Sequence, residues 1–305
     1  MNSSDKNKFI AESFDATIHG QFTKFKEDNT KTIRKAVKKE DYKGYEEIIT
    51  NAIKESFKAI EGWEKTAFDE LGGQTPQQYF MGINALDDFL DVMAEMIERD
   101  ATIFPVSLTD SIKKLGKSFE TEILIKLNMI VPDKAGKLTS MQKAEIKAAD
   151  IIAPEKEAEP LSRLLFKLDE KNVDEQTVTY IMDGLKNAGE ASIPCLIAMC
   201  EKSGHEGLIY AHSIIALANI ASEHKTEEIY KYLKECFRKS KTKIIEANAL
   251  GIYGDGRAVV VIRSYVEKNV PYMEDSEYQR YRNIILDLGG MVDDLDNAFK
   301  TFHCR

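Results

Sequence analysis

The chain is predicted to be all-α: a solenoid of stacked helix pairs, with an N-terminal helical cap that contains one long helix. Three observations predict this. Leu185, Leu217, Leu250 and Leu286 mark similar stretches at steps of 32, 33 and 36 residues, a period that fits one helix–turn–helix unit per repeat. Elsewhere, apolar residues recur at i, i+3, i+4 spacing instead of alternating. No stretch carries a convincing strand pattern; Val259, Val260, Val261 and Ile262 are β-branched but fall inside a repeat helix, where packing overrides propensity. The expected division is 1–73 for the N-terminal helical segment, 74–153 for irregular helical repeats and 154–305 for the regular array.

Residues 1–6 are expected to fray. Phe9, Ile10, Phe14, Ile18, Phe22 and Phe25 then define an amphipathic helix whose aromatic stripe is expected in the core. A short helix around Ile33 and Val37 follows, with Arg34, Lys35, Lys38 and Lys39 as a solvated face or, alternatively, a site for a phosphate or an acidic partner. The next helix is long. Asp41 is its expected cap, and Tyr45, Ile48, Ile49, Ala52, Ile53, Phe57, Ile60, Trp63, Ala67, Phe68 and Leu71 form one stripe. Unbroken, residues 41–71 would span roughly 46 Å at the standard helical rise, with Gly62 as a possible bend.

Gly72-Gly73 ends that helix, and Thr75-Pro76 starts the next as cap and first position. No strand precedes the glycine pair and no Lys-Ser/Thr follows, so it is a corner and not a phosphate loop. The helix from Pro76 buries Phe80, Ile83, Leu86, Phe89, Leu90, Met93 and Ile97. Asp87, Asp88, Asp91, Glu95 and Glu98 on it are expected to face solvent, since no Glu-x-x-His partner motif accompanies them. Phe104-Pro105 breaks it, and Thr109 is expected to cap the following helix. There Ile112, Leu115, Phe119 and Ile123 align with Met182, Leu185, Gly189 and Ile193 at an offset of 70 residues, which predicts that the array begins near 75–110. Val131–Lys137 is a polar loop, Ser140 caps a helix through Ile152, and the charged stretch Pro154–Pro160 is the expected linker.

The clear repeats run from Ile181 to Leu288. Ala216, Ala218, Ala247 and Ala249 suit close helix approach, and Gly254-Asp255-Gly256 is the clearest turn. Glycine accepts positive φ after a helix end, and Asp255 can receive backbone N–H groups of the next helix. One such unit cannot bury its apolar stripe alone, so neighbours must stack. The stretch Leu250-Gly251-Ile252-Tyr253-Gly254-Asp255-Gly256-Arg257-Ala258-Val259-Val260-Val261-Ile262 resembles the HEAT-like repeat of the phycobilisome-lyase type. The resemblance implies an α-solenoid in which the second helix of each pair lines the concave face. It implies no particular reaction. Its precedent in chromophore attachment rests here on one unit and is not carried over. Other HEAT-like proteins are glycosylases for alkylated DNA bases, with Trp and Asp beside the lesion; here the single tryptophan, Trp63, lies outside the clear repeats.

The net charge of −9 and pI near 5.3 suit a cytoplasmic chain and argue against nucleic-acid binding through overall charge. Met1–Lys8 lacks the apolar core of a signal peptide, and apolar stretches such as Ile214–Ala221 are far too short to span a bilayer. Cys195, Cys200, Cys236 and Cys304 form no CxxC pair and are expected as reduced thiols. His205 and His212 are seven residues apart but lack two further zinc ligands. Asp293, Asp294 and Asp296 lack the glycine and distant glutamate of a calcium loop. No cofactor, metal or catalytic residue is called for.

One charged patch remains. Tyr230, Lys231, Lys234 and Arg238 lie on the second helix of a repeat, followed by Lys239, Lys241 and Lys243; Arg263 and Lys268 occupy the matching helix of the next. They form either a basic strip for an acidic protein segment or a phosphate backbone, or solvated cations favoured by helix C-termini. The leading expectation is a non-catalytic scaffold that binds a protein or peptide through Tyr230, Lys231, Lys234, Arg238, Arg263 and Lys268. Nucleic-acid binding or DNA repair through the same strip is the alternative. A subunit or assembly factor of an enzyme complex is a further one.

Overall fold

The computed structural model describes residues 2–38 and 42–303, with the backbone alone described at 36–38, 42, 43, 45 and 46. The expected cap Asp41, Lys39 and Cys304 lie outside the described residues, as do the side chains of Val37, Lys38 and Tyr45. Among the described residues the chain is all-α, without a strand; Phe68 and Gln74 make a lone antiparallel bridge. It divides into two compact units, Met1–Ile130 with Leu138–Ala153, and Val131–Lys137 with Pro154–Arg305. The expected boundary at residue 73 falls inside the first unit.

The first unit holds α1 (Ser3–Lys38), α2 (Tyr42–Glu64), α3 (Pro76–Met81), α4 (Leu86–Ile97), α5 (Val106–Met129) and α6 (Ser140–Ile152). Two expected helices are one here. No proline and a single glycine, Gly20, fall before Lys38, so α1 runs unbroken for 36 residues from Ser3, which takes in residues 3–6 of the segment expected to fray. Ile10 and Phe14 are core, whereas Phe22 is exposed. The long helix is therefore α1. The helix expected over 41–71 ends at Glu64, and the chain folds back so that the Phe68 N–H donates to the Gln74 carbonyl.

Thr75 and Pro76 act as expected: the Thr75 hydroxyl accepts the Gln78 N–H and the Gln78 side chain returns to the Thr75 N–H, with Pro76 in the first turn. The single helix expected from Pro76 is two, because Gly82 to Ala85 separates α3 from α4. The helix expected to be capped by Thr109 starts at Val106 after Pro105. The cap of α6 is Thr139, one residue before the expected Ser140, in a second reciprocal pair with Gln142.

The start of α5 is held from a distance. Glu64, only 7% exposed at the end of α2, accepts both the N–H and the hydroxyl of Ser107 on one oxygen, at 2.7 and 2.6 Å. Two donors at a buried helix N-terminus thus depend on one carboxylate. Glu64→Ala should cost about 2–3 kcal/mol, seen as a lower urea midpoint by circular dichroism at 222 nm, while Glu64→Gln, which keeps an acceptor, should cost clearly less. Equal midpoints for the alanine variant and the parent protein would remove Glu64 from the account of α5.

The second unit holds α7 (Ala158–Lys167), α8 (Glu175–Asn187), α9 (Ile193–Lys202), α10 (Leu208–Glu223), α11 (Glu227–Lys239), α12 (Ile244–Tyr253), α13 (Ala258–Asn269), α14 (Asp275–Asp287) and α15 (Asp293–His303). The stretch expected as a linker is ordered: Pro154–Lys156 is a single 3-10 turn, and α7 takes Pro160 into its first turn, where no intrahelical N–H is needed. From α8 onward, alternate helices pack in sequence, α8 on α10, α10 on α12 and α12 on α14. Ala216, Ala218, Ala247 and Ala249 are all buried on these helices, and a Cβ added at Gly251 would lie 3.1 Å from Ile284 of α14. Small side chains thus set the spacing.

Leu185, Leu217 and Leu250 are fully buried, but Leu286 is 42% exposed and its neighbour Ile285 takes the core position. The fourth marker is therefore shifted by one residue. The 70-residue offset has no structural counterpart: Ile112–Ile123 lies within α5, whereas Met182–Ile193 runs from α8 through a turn into α9. Gly254 ends α12 at φ 71° with its N–H on the Leu250 carbonyl, and the Arg257 N–H donates to Asp255 Oδ1 at 2.9 Å. The start of α10 again uses a distant carboxylate. Glu170 Oε1 accepts the Ile209 N–H at 3.0 Å and occupies the space where a Cβ at Gly207 would sit.

Candidate interaction surfaces

Most cations of the expected strip on and after α11 and on α13 face carboxylates. Phe237 of α11 meets Tyr265 of α13 edge-on at 5.8 Å, so the two helices are neighbours. Tyr230, however, is a packing residue, 4% exposed, with the Arg257 guanidinium 4.1 Å from its ring centre and Lys234 Nζ 5.9 Å away. Lys231 faces Glu227 at 3.7 Å, Arg238 faces Glu235 at 4.0 Å, and Lys241 faces Glu206 at 3.0 Å. Arg263 pairs with Asp294 and with Glu267 and donates to the Met291 carbonyl. Lys243 donates to the carbonyls of Phe237, Arg238 and Ser240 at the end of α11, the place where a helix favours a cation. Lys268 is exposed. Such surface pairs add little stability, but they remove the continuous positive potential that a phosphate backbone needs.

The unit forms a groove elsewhere, across the first helices of successive pairs. It measures about 330 Å³ and crosses α8, α10 and α12. Its lining is periodic. Thr179, His212 and Ile245 line it at steps of 33 residues, and so do Met182, Ile215 and Asn248. Ala211 and Ala216 lower the floor, while Asp183 and Lys186, ion-paired at 2.7 Å, form one wall. None of the six expected contact residues lines this groove. Lys186 also borders a neighbouring, more polar hollow of about 450 Å³, where Glu190, Asn219, Ser222, Glu223 and His224 converge.

The first unit carries its own apolar groove, about 390 Å³, between α1, α2 and the segment after α4. Phe14, Ile18, Phe22, Ile53, Phe57 and Ile103 supply most of its lining. Phe22, Ile53, Phe57 and Ile103 remain exposed there.

In the second unit a buried tyrosine and a buried glutamate pair with each other. The Tyr210 hydroxyl donates to Glu246 Oε1 at 2.7 Å, with Glu246 1% exposed. Burial pushes the Cys200 thiol up strongly and the Cys236 thiol up to about 11, so both stay protonated at neutral pH and lack the thiolate that nucleophilic or redox chemistry requires. His205 has its ring edge-on to Tyr210 at 5.6 Å, whereas His212 lines the groove. Among the described residues no group of three or more His, Cys, Asp or Glu side chains is placed to hold a metal ion, and no helix is long and apolar enough to cross a membrane. Of the acidic residues considered earlier, Asp87 pairs with Lys126 at 2.8 Å, and Asp296 accepts from Arg282 and Tyr278.

Compared with known proteins, the chain matches no family model, no curated protein and no solved structure. The remote caps Glu64 and Glu170 and the first-helix groove were not legible from local motifs. The groove did leave a signal in the sequence, the 33-residue step shared by its lining positions.

Proposed function

We propose that the chain is a non-catalytic interaction scaffold whose second unit is an α-solenoid of HEAT-like helix pairs. It receives a protein or peptide segment on the face of its first helices. One observation carries this reading: repeat-equivalent residues of three successive helices line one groove with an apolar floor and a polar rim. A groove of that make-up anchors side chains by burial and orients the partner by a few polar contacts. A cytoplasmic setting, suggested by the net charge of −9, belongs to the same proposal. A subunit or assembly factor of an enzyme complex is one form that such a scaffold takes.

Nucleic-acid binding has weaker support, because cations on α11, just after it and on α13 face Glu206, Glu227, Glu235, Glu267 and Asp294. Affinity capture with variants separates the two surfaces. Ile215→Arg, which places a charge on the groove floor, should lose the retained partner while the melting temperature stays unchanged. Lys234→Glu should keep it. Loss with Lys234→Glu and retention with Ile215→Arg would move the site back to α11.

A further inference from the structure

The groove and the hollow beside it differ in chemistry, and the difference specifies a partner. This inference rests on the groove being the interaction surface. The groove side is apolar, with Met182, Ile215 and Ile245 around a floor of small residues. The hollow side carries Glu190 from the turn after α8 and Glu223 from the end of α10. Lys186 stands between them, but its charge is already engaged by Asp183 at 2.7 Å. His224 lies 3.9 Å from Glu190. The hollow therefore presents two exposed carboxylates, and the whole chain, at −9, adds a long-range pull on cations.

We propose that the segment bound here carries a large apolar side chain and, on the side of the hollow, a lysine or arginine. The spacing follows from helix geometry. Ile215 and Glu223 are two turns and a little more apart on α10, about 12 Å at the helical rise. An extended peptide covers that distance in roughly three or four residues. The apolar anchor fills the groove between Met182, Ile215 and Ile245, and the basic side chain reaches Glu190 and Glu223. Burial of the anchor supplies affinity, and the carboxylates select among anchors and fix the direction of the chain.

The test uses the full chain with ¹³C-methyl-labelled isoleucine and methionine. The probes are two synthetic Gly/Ser peptides, each with one phenylalanine. One carries two arginines about four positions beyond it, and the other carries two glutamates there. The arginine peptide should shift the methyl signals of Ile215, Ile245 and Met182 and bind about tenfold tighter than the glutamate peptide. The exposed double reversal Glu190→Lys with Glu223→Lys should bring that ratio to about one, whereas the same net change made with Glu70→Lys and Asp110→Lys should leave it near its parent value. Methyl shifts with equal affinity for both peptides would overturn the charge assignment and leave the groove standing. Absence of methyl shifts with either peptide would overturn the groove itself, and this inference with it.

Discussion

Leu217→Ala is expected to destabilise the second unit by about 2–5 kcal/mol, the range for a leucine deleted from a close-packed core. Leu217 is fully buried on α10, the helix that packs on both α8 and α12. A cavity there touches three layers at once, and the alanines that bring these helices together leave no long side chain to relax into it. Leu286→Ala is the matched control. At 42% exposure its loss should cost less than about 1 kcal/mol. Urea denaturation followed by circular dichroism reads both variants. Equal losses would mean that Leu286, and not Ile285, is the core position of α14, and the shift in the fourth repeat would be wrong.

Trp63→Ala should cost the first unit about 3–5 kcal/mol. The indole packs edge-on against Phe14 at 5.3 Å and tilted against Phe80 at 6.4 Å. Its N–H donates to the Ser13 hydroxyl at 3.1 Å. One side chain thus ties α2 to α1 and α3, and aromatic pairs add to the burial term. Trp63→Phe should recover most of the loss, since it keeps a ring and gives up one hydrogen bond. Trp63 is the only tryptophan of the chain, so the comparison needs circular dichroism and not fluorescence. A loss below about 1 kcal/mol for the alanine variant would show that the α1–α2 contact is carried elsewhere.

The sequence made legible what local chemistry decides. Thr75-Pro76 announced a helix start, Gly254-Asp255 announced a turn, and the buried leucines 185, 217 and 250 announced three of the core layers. It misled where a boundary depends on distant partners. The stripe of α2 continues through Ala67, Phe68 and Leu71, yet the helix stops at Glu64, whose carboxylate holds Ser107, 43 residues away, and the chain turns back so that Phe68 pairs with Gln74. Likewise nothing near Leu208 shows that Glu170 caps α10. The split between α3 and α4 was hidden by an apolar period that survives across Gly82 to Ala85.

The proposed groove is not the surface that stands out in the sequence. Lys231, Arg238 and Arg263 stand out in the chain, but Glu227, Glu235 and Glu267 face them from three or four residues away on the same helices, and Asp294 of α15 also faces Arg263. Helical spacing makes the three local pairs readable in the sequence, whereas the Arg263–Asp294 pair, 31 residues apart, is not. The groove residues are individually unremarkable: a threonine, a histidine, an isoleucine, a methionine, an asparagine. Only their shared step of 33 residues joins them, and the leucine markers, with a first step of 32, were one residue out of register with it.

The proposed binding of a protein segment across α8, α10 and α12 can be tested by crosslinking. Its most direct test places a photo-crosslinking side chain at Asn248, on the groove rim, or at the exposed Lys268 of α13, followed by irradiation in cells. Such binding predicts a higher-mass adduct with a protein partner from position 248 and none from position 268. An adduct from position 268 with none from position 248 would contradict it.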